Sequence, residues 1–101
     1  MSATLTSEFL PVRVDEELYS ALAQVLERGI GIGGDGMHWP STMRRVDHLM
    51  QNRPDWLSRE DAELLRQVCD RYRPAREDGV FKASFFVRMR AARAAIQRML
   101  G

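Results

Sequence analysis

Apolar residues recur at three- and four-residue spacing in four separate stretches of this chain, the pattern of helices that each bury one face. The clearest lies within residues 52–74, NRPDWLSREDAELLRQVCDRYRP, where Ala62, Leu65, Val68, Cys69 and Tyr72 form one stripe. Ser58 is placed to cap it, because its hydroxyl can accept from an amide in the first turn that has no partner within the helix. Asp61 stands three residues on, in the capping-box position, and Leu57 can pack against Ala62 as a staple. Glu60, Asp61 and Glu63 then sit at the positive end of the helix dipole and Arg71 and Arg73 at its negative end. Pro74 pushes the residue before it out of helical conformation, so a helix over about 59–73 is predicted.

Earlier in the chain, Leu18, Ala21, Leu22, Val25 and Leu26 predict a helix over about 16–28, opened by Asp15 with Val14 and Tyr19 as its staple and stopped by Gly29. Ser41 or Thr42 can cap a second helix reaching to about Gln51, with Met43, Val46, Leu49 and Met50 on its buried face. Asn52, Arg53 and Pro54 break it, and the short link to the next helix predicts a helical hairpin at the centre of the fold. Trp39 and Trp56 are expected to pack, Trp56 as a plug at the hairpin's open end. After the polar connection 76–79, Phe81, Phe85, Met89, Ala92, Ile96, Met99 and Leu100 hold helical spacing for nearly five turns. VFKASFFV, residues 80–87, also has the composition of a strand, but the continuity of the stripe through Ile96 favours helix. The expected fold is therefore all-α, a compact bundle of about four helices forming a single domain over 1–101, with residues 1–13 either a flexible tail or docked on the core through Phe9 and Leu10.

Between the first two helices lies GIGIGGDG, with five glycines from Gly29 to Gly36. It matches GxGxxG twice, but a dinucleotide site needs a strand before the loop and a helix opening on it. Here a helix precedes and Trp39-Pro40 follows, and no Gly-Lys-Ser/Thr occurs. A connection that permits sharp turns, or one that orders against a partner, fits better.

Reactive chemistry is sparse. His38 and His48 are the only histidines, Cys69 is the only cysteine, and their spacing matches neither a nucleophile–base arrangement nor a zinc pattern. No enzyme activity, cofactor or metal is expected. A lone cysteine on an apolar face fits a reducing compartment, no apolar run approaches membrane-spanning length, and residues 1–10 lack the pattern of a secretory leader. A soluble, cytoplasmic protein without membrane contact is the expectation.

Charge is what changes the picture. The net charge is only +1, yet residues 1–40 carry six acids and two bases, whereas residues 80–101 carry Lys82, Arg88, Arg90, Arg93 and Arg98 with no acid. Such asymmetry implies either an electrostatic partner for the last helix or an internal match to the acidic first part. Phe86 and Val87 point away from that helix's main stripe, as a second packing face or as apolar contacts for a partner. The residues expected to bind a partner are accordingly Lys82, Phe86, Arg88, Arg90, Arg93 and Arg98.

In size, compactness and lack of catalytic residues the chain resembles the small phage and prophage inhibitors, among them the anti-CRISPR proteins that block bacterial surveillance complexes. The resemblance includes no motif, and no residue's role is carried over from it. It implies a non-enzymatic inhibitor or adaptor in the cytoplasm of a bacterial host cell, bound to a larger protein or nucleoprotein complex. Many members of that group are strongly acidic mimics of nucleic acid, so a slightly basic chain implies steric blocking. The alternative reading is a small nucleic-acid-associated regulator using the basic last helix; a third is a helical dimerisation domain. The middle helices do not form a helix-turn-helix: their link is too long, and Glu60, Asp61 and Glu63 would face the phosphates.

Overall fold

The computed structural model describes residues 10–32 and 38–101. Among the described residues four helices carry the structure: α1 (Leu18–Arg28), α2 (Trp39–Asn52), α3 (Arg59–Arg71) and α4 (Gly79–Leu100). Between them run four short strands, β1 (Val12–Arg13), β2 (Gly29–Gly31), β3 (Trp56–Leu57) and β4 (Tyr72–Pro74). The strands pair as two antiparallel ribbons, β1 with β3 and β2 with β4. The fold is therefore mostly helical but not strictly all-α.

The β2–β4 ribbon alters the helix ends read from sequence. Gly29 is extended (φ −117°, ψ 168°), with none of the left-handed geometry of a glycine stop, and the chain leaves α1 directly into β2. There Gly29 pairs with Pro74, Ile30 with Arg73 and Gly31 with Tyr72. Ala75 N–H donating to Arg28 O (3.0 Å) and Ile32 N–H donating to Arg71 O (2.8 Å) extend the ladder at either end. The same pairing draws Tyr72 and Arg73 out of α3, which ends two residues before its expected limit. What reads as a glycine-rich loop is thus a strand over Gly29–Gly31; residues 33–37, the remainder of that loop but for Ile32, lie outside the described residues. The expected tail also contributes structure, since Val12 pairs with Leu57 and Arg13 with Trp56, while residues 1–9 fall outside the described residues.

The helix caps follow from side chains close at hand. Ser58 Oγ accepts from Asp61 N–H (3.0 Å), as expected. The Asp61 carboxylate turns instead to Arg45 of α2, which grips it with Nε at 3.1 Å and Nη2 at 2.6 Å. α2 starts earlier than expected, at Trp39-Pro40, with His38 Nδ1 accepting from Ser41 N–H. Asp15 opens a turn by accepting from Glu17 N–H (3.0 Å), and α1 follows at Leu18. Asp78 Oδ1 accepts from Val80 N–H (2.8 Å) and Phe81 N–H (3.1 Å), which commits residues 80–87 to helix instead of strand.

The centre belongs to α4, which makes close backbone approaches to both α1 and α3; the α2–α3 hairpin is not the organising unit. Phe85, Met89, Ala92, Ala95, Ile96 and Met99 are its buried positions. They join Leu18, Leu22 and Val25 of α1 and Ala62, Leu65, Val68 and Cys69 of α3 in one cluster, to which α2 adds Val46 and Leu49. Trp39 packs on this cluster, its ring centroid 6.0 Å from that of Tyr72. Trp56 does not plug anything. It is 53% exposed, with the Arg13 guanidinium 5.7 Å from its ring centroid, because the alternation of β3 turns Leu57 inward and Trp56 outward.

Candidate functional site: the groove between α4 and β4

Residues 86, 90 and 93 are one and two turns apart along α4, so Phe86, Arg90 and Arg93 share one face. β4 runs beside that face. Its alternation buries Tyr72 and turns Arg73 out. Between the two elements lies a groove of about 440 Å³, lined by Tyr72, Arg73, Phe85, Phe86, Met89, Arg90 and Arg93. Its floor is apolar: Phe85 is fully buried and Met89 nearly so. Phe86 is 48% exposed and meets Phe85 edge to face, with ring centroids 5.3 Å apart. Burial, assisted by the charge of Asp47, raises the Tyr72 hydroxyl above its ordinary pKa and keeps it neutral. Ile30, 57% exposed, is the cross-strand neighbour of Arg73 and extends the apolar surface past the groove's edge.

The rim is cationic and unevenly compensated. Arg93 Nη2 lies 3.1 Å from Asp70 Oδ1, with both side chains about half exposed. Arg73 Nη1 donates to the backbone carbonyls of Asp70 (2.9 Å) and Tyr72 (2.8 Å), contacts that fix the guanidinium without neutralising it. Arg90 has no ion-pair partner among the described residues. Three guanidinium groups therefore face one carboxylate around an apolar floor.

Of the six residues expected to bind a partner, Phe86, Arg90 and Arg93 meet in this groove. Lys82 lies one turn N-terminal to Phe86 on α4, paired with Glu77 at 3.4 Å. Arg88 and Arg98 belong to the α1 side. Arg88 borders a shallow groove with Glu16, Glu17, Ser20 and Gln24. Arg98 forks onto Asp15 (Nε 2.7 Å, Nη2 3.2 Å) and approaches Glu17 at 3.5 Å. That bond holds the Asp15 carboxyl below its ordinary range. The internal charge match thus accounts for Arg98 and leaves Arg90 over. Sequence reasoning missed Arg73, which read as a helix-end charge, and placed Phe85 and Met89 wholly in the core. The only signal for Arg73 was its place beside Tyr72 just before Pro74, too short an alternation to read as a strand.

The remaining chemical groups sit apart. Cys69 is buried, and burial pushes its thiol up to about 11, so it stays protonated at neutral pH. His38 bonds Ser41, and His48 lies beside Asn52 on α2. No three His, Cys, Asp or Glu side chains converge on a metal site among the described residues. None of the described helices is long and apolar enough to cross a membrane. In comparisons with known proteins no family model matches the chain, and no curated protein or solved structure does.

Proposed function

We propose that this protein is a non-enzymatic binding module, an inhibitor or adaptor that occupies a surface of a larger protein or nucleoprotein complex through the α4–β4 groove. The observation that carries the reading is the half-exposed Phe86 standing over a buried Phe85–Met89 floor beside Arg90, which has no ion-pair partner among the described residues. An exposed aromatic next to an uncompensated guanidinium is the composition of an interface hot spot. Folding gains little from leaving it open to water. The finer form of the proposal is a phage-encoded protein that blocks a bacterial CRISPR surveillance complex sterically, in keeping with the small size and near-neutral charge. Nucleic-acid binding is disfavoured, because Arg98 is taken up by Asp15, Arg93 is shared with Asp70, and Arg88 faces α1.

The test is affinity capture of partners from bacterial lysate by the wild-type chain and by a variant carrying Arg90→Glu and Arg93→Glu. The variant should keep its helical circular dichroism and lose the captured complex. Equal capture by both would remove the groove as the contact surface. Co-purification of the wild type with a CRISPR effector complex would support the finer form.

A further inference from the structure

Resting on the groove's being a contact surface, we infer that its occupant is an acidic segment of a partner protein, one large apolar side chain flanked by carboxylates, and that Asp70 holds part of the site in the partner's absence. The apolar requirement comes from the floor. Phe86, half exposed, offers its ring to a single inserted aliphatic or aromatic group, with Phe85 and Met89 packed beneath as an uncharged floor.

The acidic requirement comes from the rim. Arg90 has no ion-pair partner among the described residues, and Arg73 is clamped by two backbone carbonyls that leave its positive charge unmet. The fork of a guanidinium matches a carboxylate in two parallel bonds. Asp70 already makes a single ion-pair contact with Arg93, at 3.1 Å, from a side chain exposed enough to be displaced. An incoming carboxylate therefore competes with Asp70 for Arg93 and, among the described residues, meets no competitor at Arg90.

The same geometry argues against other occupants. A phosphate backbone needs a run of cations along a track, whereas here three arginines ring an apolar floor with Asp70 among them. A second copy of this chain, docked groove to groove about a twofold axis, would bring two rims of three arginines together with only the two Asp70 carboxylates between them.

The experiment is selection of a short random-sequence peptide library on the immobilised full chain, with the Arg90→Glu variant as counter-target. The best peptide is then synthesised and titrated by fluorescence anisotropy. Selected peptides should carry Asp or Glu beside one Leu, Met, Phe or Trp. Arg90→Glu should weaken binding about tenfold or more, the scale of a lost charge-assisted hydrogen bond. Asp70→Asn, which removes the competing carboxylate, should tighten it by about two- to fivefold, the scale of an exposed ion pair. A purely structural role for Asp70 would give no tightening.

Selected peptides without acidic residues, or no selection over the counter-target, overturn the inference. Non-acidic peptides that still need Phe86, judged with Phe86→Ala, would leave the groove standing as a contact surface while its acid preference falls. Peptides indifferent to both Phe86→Ala and Arg90→Glu would remove both readings. A labelled single-stranded oligonucleotide that displaces the acidic peptide at equal concentration would reassign the site to nucleic acid. Sedimentation of a dimer that Phe86→Ala dissociates would reassign it to a second copy.

Discussion

At Gly31 the backbone lies so close beneath the indole of Trp39 that a β-carbon there would stand 2.0 Å from Trp39 Cζ2. At Gly29 it would stand 2.6 Å from Phe85 Cε2 and 2.8 Å from Tyr72 Cδ2. Neither residue uses the positive φ that favours glycine; the need is for contact, with aromatic rings laid directly on the strand. Gly31→Ala should therefore cost about 1–3 kcal/mol, the range for overpacking a filled site, measured by urea unfolding. Gly79 at the start of α4 is the control, since a β-carbon there meets nothing within 4 Å. Gly79→Ala should be neutral or stabilise by about 0.4–1 kcal/mol through the unfolded chain. If the two substitutions cost the same, close approach is not what selects glycine at position 31. Glycine density is visible in the sequence, but its reason is not. The rings that demand Gly29 come from Tyr72 and Phe85, more than forty positions away, and local spacing carries no trace of them.

The elements that could be read were those with all their signals local. α3 has its cap, first-turn acids and apolar stripe within sixteen residues of one another, and Ser58 does what its position predicts. Over residues 80–87 the apolar stripe favours helix without excluding strand, because the deciding residue, Asp78, lies in what reads as a plain polar link. The strands escaped altogether. Two or three residues cannot show a period of two, and each ribbon is defined by a partner segment more than forty positions away. One long-range contact was foreshadowed by charge segregation, the fork of Arg98 on Asp15 that ties α4 to the start of α1. Because Asp15 has its folded pKa held below the ordinary carboxylate value, its contribution to stability is complete above that value and fades as pH falls through the lowered one. Urea midpoints of wild type and Asp15→Asn should differ at neutral pH and converge in acid. A gap that stays constant with pH would mean that the pair does not stabilise the fold.

On the scale of the whole molecule, α4 serves two purposes at once: its inner face is the axis of the core and its outer face is one wall of the groove. Phe85 stands where the two meet, fully buried, touching the β2–β4 ribbon at Gly29 while flooring the groove beside Phe86. That double placement explains why the site was half legible. The stripe of Phe86, Arg90 and Arg93 could be read from helical spacing and charge, whereas the opposite wall, Tyr72 and Arg73, enters only through ribbon pairing. It also predicts how stability and binding separate. Phe85→Ala should cost about 3–5 kcal/mol by opening a cavity, a large share of the roughly 5–15 kcal/mol that holds a domain together. Arg90→Glu, on the exposed rim, should leave stability within about 0.5 kcal/mol and weaken binding alone. In a Trp56→Phe background the remaining indole, Trp39, reports on the ribbon, while far-ultraviolet circular dichroism reports on the helices. Because one cluster of buried side chains serves both, the two signals should shift together in Phe85→Ala and trace a single transition. A Trp39 transition that precedes the helical one would show the ribbon to be a separate unit, and the groove it walls would then open without unfolding the bundle.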